Sequence, residues 1–136
     1  MHSRELTIET GTAATLADLT AHCDRYLREI EAEDGLLSVF VPHATAGLVV
    51  VELGAGSDDD LLRALDELLP RDDRWMHRHG SPGHGADHVL PLVASPSLTV
   101  PVIGGRLTLG TWQSIALLDP NRDNPHRTVR LSFLPG

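Results

Sequence analysis

Val39-Phe40-Val41-Pro42-His43-Ala44-Thr45-Ala46-Gly47-Leu48-Val49-Val50-Val51-Glu52 holds the reading of the fold, because a short polar break separates two β-prone apolar runs. Residues 39–41 and 48–51 are rich in β-branched side chains, which pack well on a pleated surface, so each run predicts a largely buried strand. Pro42 fixes its own φ and lacks an N–H, which suits a strand end. Ala44, Ala46 and Gly47 leave room around the His43 imidazole for a ligand. On this stretch alone the simpler reading is a buried histidine bonded to backbone, and the other histidines must decide.

Upstream, residues 6–10 alternate apolar and polar, the period of a strand with one face on a core, and Gly11 ends it. From about Thr15 the pattern changes to spacings of three and four through Leu16, Leu19, Cys23, Tyr26, Leu27 and Ile30. That predicts an amphipathic helix, capped by Asp18 or Thr20 and stopped at Gly35, with His22 on its solvated side. Downstream, Ser57 is the expected cap of a second helix with an apolar stripe of Leu61, Leu62, Leu65, Leu68 and Leu69, closed by Pro70. Asp58, Asp59 and Asp60 read as helix-start carboxylates facing the dipole rather than a magnesium site.

Residues 71–88 form a long polar loop that holds four of the eight histidines: His77, His79, His84 and His88. Loops of this length in compact domains are usually functional or disordered, and the histidine density favours function. Residues 89–94 predict a short helix capped by Asp87, with a short strand as the alternative. Residues 97–103 read as a strand that Pro101 pushes toward an edge or bulge. Gly104-Gly105 is a hairpin turn, residues 106–109 start the return strand, and Gly110-Thr111-Trp112-Gln113 interrupts it. Residues 114–118 continue as a buried run, residues 119–125 turn, and residues 128–133 form the last strand. The sum is α+β: a mainly antiparallel two-layer β-sheet sandwich with two main helices.

The 136 residues suit one domain over 1–136, with a core large enough to need no staples. The single cysteine, Cys23, excludes an internal disulfide and falls at an apolar helix position. No run of about eighteen apolar residues occurs, so a cytoplasmic protein with no membrane partner is expected. A net charge of -8 and 4% aromatic residues argue against nucleic acid, through phosphate repulsion and a shortage of stacking platforms.

Three separated motifs carry a resemblance. One is the hairpin, with Ser97, Val100, Val102, Gly105, then Gly110-Thr111-Trp112-Gln113 and Ile115; the second is Pro42-His43-Ala44-Thr45-Ala46-Gly47 followed by Glu52; the third is His77 with His88 ahead of an apolar segment. In these residues the chain resembles the small secondary thiamine-phosphate synthase (YjbQ-like) family. The resemblance implies a trimeric α+β sandwich, with the histidines near a subunit boundary in a metal-binding or catalytic pocket. It also implies, as a secondary activity, the joining of hydroxymethylpyrimidine diphosphate to a thiazole phosphate with release of pyrophosphate. The chain departs from the family's usual pattern at His84, where asparagine is usual, at Leu53, where a second asparagine is usual, and at Pro91.

His43, His77 and His88 are the candidate metal ligands, and none has the close pair spacing of a zinc finger or an HExxH helix. Should the fold bring them together, three imidazoles with one open position make a catalytic site for zinc or another divalent metal. Magnesium would accompany the substrate diphosphate. Glu52 or Asp87 could orient an imidazole or act as base, and His43 and His88 are candidate catalytic groups in their own right. A small phosphorylated substrate needs cations where charge accumulates, for which Arg74 and Arg78, with Arg106 and Arg130, are candidates. Thr111 and Gln113 could donate to phosphate or to a pyrimidine edge, unless they form a turn with Trp112 packed beneath it. Thr45 and Trp112 complete the expected substrate contacts, and His79, His84 and His126 are secondary. Two alternatives share the metal: a hydrolase of small phosphorylated or carbonyl compounds, and a non-catalytic trimeric metal or small-ligand binding protein.

Overall fold

Alternating side chains build one sheet of this protein, and continuous apolar runs build the other. The computed structural model describes residues 1–120 and 122–136. The five-stranded sheet runs in the order β1 (His2–Glu9), β8 (His126–Pro135), β3 (Gly35–Phe40), β5 (Ser97–Ile103), β6 (Arg106–Leu107). The three-stranded sheet runs β2 (Thr15–Asp18), β7 (Ser114–Asp119), β4 (Gly47–Val51), and every pairing in both is antiparallel. Three helices accompany them, α1 (Thr20–Glu29), α2 (Ser57–Leu68) and α3 (Gly85–Val89), the last continuing into a 3-10 turn at Leu90–Leu92.

The main core lies between the sheets. Leu37, Val39, Val100, Val102, Val129, Leu131 and Phe133 from the larger sheet meet Leu48, Ile115 and Leu117 from the smaller, with Leu19 and the α1 residues Cys23, Tyr26 and Leu27 closing one side. Fully burying side chains of this size is worth about 1.5–3 kcal/mol each. A second cluster, Leu65, Leu90, Ala94 and Leu118 with Leu16, Val49 and Leu62, packs α2 onto the other face of the smaller sheet. That sheet is therefore covered on both sides, and its strands need apolar residues without alternation.

Several boundaries differ from expectation. β3 and β4 do not pair with each other: β3 lies between β5 and β8, and β4 pairs with β7, so residues 41–46 cross from one sheet to the other. Residues 15–18 are strand β2, with Leu16 opposite Leu118, so α1 starts only at Thr20. α1 ends at Glu29, Glu31 takes a positive φ of 53°, and Gly35 opens β3 rather than stopping the helix. The Thr20 hydroxyl accepts the Ile115 N–H (3.0 Å) and ties α1 to β7. Gly56, in the left-handed region, caps α2, and Ser57 is its first residue. Asp87 lies inside α3 instead of capping a later helix. β5 is second from the edge, but its Pro101 carbonyl accepts the Thr108 N–H (3.1 Å) on the outer side, so the missing N–H faces away from β3. Gly104 and Gly105, with φ of 56° and 76°, make the expected two-residue turn. β6 ends after two residues and the chain passes through residues 110–113 to β7 in the other sheet. Of the turn expected over residues 119–125, Asp119 belongs to β7 and Asn121 lies outside the described residues. Among the described residues no helix is long and apolar enough to cross a membrane.

Candidate functional site

The loop after α2 holds its shape by polar contacts rather than by regular secondary structure. The Arg71 guanidinium pairs with the Asp87 carboxylate and donates to Ser81 Oγ (3.0 Å), while the Trp75 indole N–H donates to the Pro70 carbonyl (2.8 Å). Asp123 Oδ2 accepts from the Ser81 N–H (3.1 Å), which holds that carboxyl below the usual carboxylate range. A Cβ at Gly85 would run into the Trp75 Cβ and the His77 carbonyl, so only glycine lets α3 pack this close to the loop.

Four imidazoles meet where the loop enters α3. Ring centroids are 4.0 Å apart for His77 and His79, 3.9 Å for His77 and His88, and 4.8 Å for His84 and His88. One ligand nitrogen each from His77, His79 and His84 lies within 4.8 Å of the others. His84 is 6% exposed, and its Nδ1 faces Asp87 Oδ2 (3.2 Å) and Asp123 Oδ2 (3.1 Å). Those carboxylates place the proton on Nδ1 and leave the Nε2 lone pair toward the other imidazoles, as second-layer carboxylates do for metal-bound histidines. His84 Nε2 is 3.1 Å from His88 Nε2. Two nitrogens bound at about 2.0–2.1 Å to one tetrahedral zinc stand roughly 3.3–3.4 Å apart, so little adjustment separates this pair from a ligand pair.

A divalent cation also fits two further features. His77 Nε2 is buried with no hydrogen-bond partner among the described residues, which is costly for a nitrogen with no cation to bind. Burial first, then the neighbouring imidazoles, hold the pKa values of His77 and His88 below the ordinary histidine value, which favours the neutral imidazole, the form a metal ion binds.

His43 borders the same cleft, a space of about 340 Å³ also lined by His79, His84, His88, Asn124 and Arg127. Its Nε2 accepts the Thr128 N–H (2.9 Å), an acceptor role that puts the proton on Nδ1. Arg127 is 2% exposed: Nε and Nη2 hold Asp119 in a two-point ion pair (2.7 and 2.9 Å), and Nη2 also donates to Thr45 Oγ1 (3.0 Å). Thr45 is thus a partner of Arg127. Of the small residues beside His43, Ala44 is exposed and lines the cleft, whereas Ala46 is in the core and Gly47 lies so close to the Ala94 carbonyl that a Cβ would collide with it.

The metal ligands expected from sequence and the three histidines whose ligand nitrogens gather in the fold have His77 in common. His79 and His84 join it, His88 stands beside His84, and His43 is engaged with backbone. The i, i+4 spacing of His84 and His88 was the available signal. Arg127 was legible too, because it continues the inward phase of Val129, Leu131 and Phe133 on β8. Asp119 carried no such signal. Arg78, which donates to the Asp73 carbonyl (2.8 Å), borders a second cleft of about 420 Å³ shared with His77 and His84. Arg74 is exposed and bound to Asp72, Arg106 is exposed at the hairpin, and Arg130 pairs with Glu5. His126 is exposed.

Glu52, Thr111, Trp112 and Gln113 sit elsewhere. Val51 pairs with Ser114 at one end of the β4–β7 ladder and Gly47 with Leu118 at the other, so Glu52 and residues 110–113 lie at the end away from His43. Five strand residues span roughly 15 Å. Trp112 is 74% exposed instead of packed beneath a turn, and Gln113 Oε1 accepts the Gly110 N–H (2.8 Å).

The family model described as "UPF0047 protein YjbQ-like" matches residues 4–136. The UPF0047 protein Rv2556c of Mycobacterium tuberculosis is 59% identical over 125 residues, 92% of this chain and 86% of the relative. A UPF0047 protein of Archaeoglobus fulgidus is 33% identical, with 92% and 96% covered. Among solved structures, the hypothetical protein APE1520 from Aeropyrum pernix superposes with a TM-score of 0.89 at 32% identity, with both chains fully covered. A YbjQ-like protein of unknown function from Sulfolobus solfataricus gives 0.91 at 23% identity, covering 99% of this chain and 97% of the other, a likeness of fold.

Proposed function

Since this chain belongs to the UPF0047 YjbQ-like family, we propose that its histidine cleft is the centre of a divalent-metal enzyme acting on small phosphorylated molecules. The observation that carries this reading is His77 Nε2, buried without a partner beside His79 and His84. His77, His79 and His84 would hold the cation, with His88 adjacent. A bound zinc or similar ion supplies Lewis-acid polarisation of a phosphoryl oxygen or a lowered water pKa. Asp87 and Asp123 orient His84, Arg71 anchors Asp87, and His88 is placed to hold or release a proton at its Nε2. The transfer offered by the family resemblance joins hydroxymethylpyrimidine diphosphate to thiazole phosphate, with magnesium accompanying the diphosphate. A homotrimer belongs to the same reading: exposed Trp112, Gln113 and Glu52, remote from their own cleft, would reach the cleft of a neighbouring copy.

Purified protein incubated with both thiamine precursors and magnesium, with and without added zinc, tests the assignment. Thiamine phosphate formed by the wild type and lost in His77→Ala and with chelator supports it. Phosphate-ester hydrolysis without that product moves the assignment to a hydrolase. Stoichiometric zinc without turnover moves it to a metal-binding module, and protein that takes up no zinc refutes the metal centre.

A further inference from the structure

The cleft contains a second group of donors whose chemistry differs from that of the imidazole cluster. Arg127 uses Nε and Nη2 on Asp119 and Thr45, and its Nη1 makes no hydrogen bond among the described residues, although the side chain lines the cleft. His43 lines the same cleft, and the Thr128 N–H occupies its Nε2, so its Nδ1 carries a proton and meets no acceptor among the described residues. A guanidinium edge and an imidazole N–H thus border one space, the first fixed by buried Asp119 and Thr45 and the second by the half-buried Thr128 N–H. Neither can accept a hydrogen bond through these atoms.

We propose that Arg127 Nη1 and His43 Nδ1 form an oxyanion subsite that binds the phosphate group of a phosphorylated substrate beside the histidine cluster. The Asp119 pair fixes the guanidinium plane and the Thr128 contact fixes the imidazole, so little side-chain freedom is lost on binding. Asp119 also offsets the arginine charge, which suits a group held through directed donors rather than by net attraction. Arg127 and His43 are binding residues here, and Asp119, Thr45 and Thr128 are positioning residues. The subsite extends the reading above by naming the substrate group it holds, and it depends on that reading for catalysis but not for binding.

Binding of inorganic phosphate, methyl phosphate and acetate is measured by calorimetry on chelator-treated, metal-free protein, so that anion coordination to a metal cannot contribute. Two His43 variants separate the donor from the fold. His43→Gln places a carbonyl near the position of Nε2 and can still accept from Thr128, but it loses the Nδ1 donor. His43→Asn keeps an N–H near the position of Nδ1 and loses the acceptor. The expected result is phosphate and methyl phosphate binding that weakens about tenfold or more in His43→Gln and stays within about threefold in His43→Asn, the size expected of one hydrogen bond to a charged group. Arg127→Lys, which removes Nη1 but retains a cation for Asp119, is expected to lose binding similarly. Should it fail to fold, the His43 pair still decides. No phosphate binding at millimolar concentration, equal losses in both His43 variants, or acetate binding as tight as methyl phosphate would overturn the subsite. Loss of zinc uptake with phosphate binding intact would refute the metal reading and leave the subsite standing.

Discussion

His43 accepts the Thr128 N–H through a lone pair that protonation removes. Burial, then the Arg127 guanidinium, hold its pKa below the ordinary value, while Asp119 pulls the other way. The folded state therefore favours neutral His43, and the unfolded chain takes up its proton first as pH falls. The resulting stabilisation is full above about pH 6.5 and is lost as pH falls through the lower folded value. Urea unfolding of metal-free protein should weaken over that window, and less steeply for His43→Gln, whose amide does not titrate. Identical pH profiles would contradict this. The buried Asp119–Arg127 pair gives a larger effect: Asp119→Ala leaves a guanidinium buried without its carboxylate and should cost about 3–5 kcal/mol in the same assay. The Cys23 thiol is pushed up to about 12, first by burial, then by Asp24 and Asp18. Thiol reagents at pH 8 should leave it unmodified until the protein is denatured.

Elements were legible where one neighbour decided them. The hairpin at Gly104-Gly105 and the leucine stripe of α2 follow local rules that the packing leaves intact. Helical spacing carries α1 back over residues 15–18, because Leu16 and Leu19 fit it, while in the fold Leu16 of β2 lies opposite Leu118. Local periodicity cannot report that pairing, which comes from a strand about a hundred residues away. α3 was hidden for another reason: it is five residues long and is held by the loop beneath it. Gly85 is its most sensitive point. Gly85→Ala should push the helix from Trp75 and the His77 carbonyl, destabilise by about 1–3 kcal/mol as other overpacking changes do, and weaken zinc binding at least tenfold. Full zinc affinity in a folded Gly85→Ala protein would show that the cluster does not depend on this contact.

Across the whole molecule, the metal reading makes a linkage prediction. Zinc at about a hundredfold above its Kd should stabilise by about 2.7 kcal/mol, which for a domain of this size raises Tm by roughly 10 °C. Chelator should reverse the shift, and a His77→Ala protein should show none; equal shifts in both proteins would place the zinc elsewhere. Light scattering should give a mass near three times the 14.7 kDa chain for the homotrimer, and a monomer would remove any contribution of Trp112 to a cleft. Taken alone, the sequence determined the α+β class, the antiparallel strands, the two main helices and the richness of the 71–88 loop in histidine, because each depends on neighbours a few residues apart. Only the tertiary structure decided that residues 41–46 cross between sheets, that His84 and His79 rather than His43 stand with His77, and that Arg127 closes the cleft. Those outcomes depend on which distant strands pair and on which buried charges find partners, energies that arise only when the chain folds back on itself.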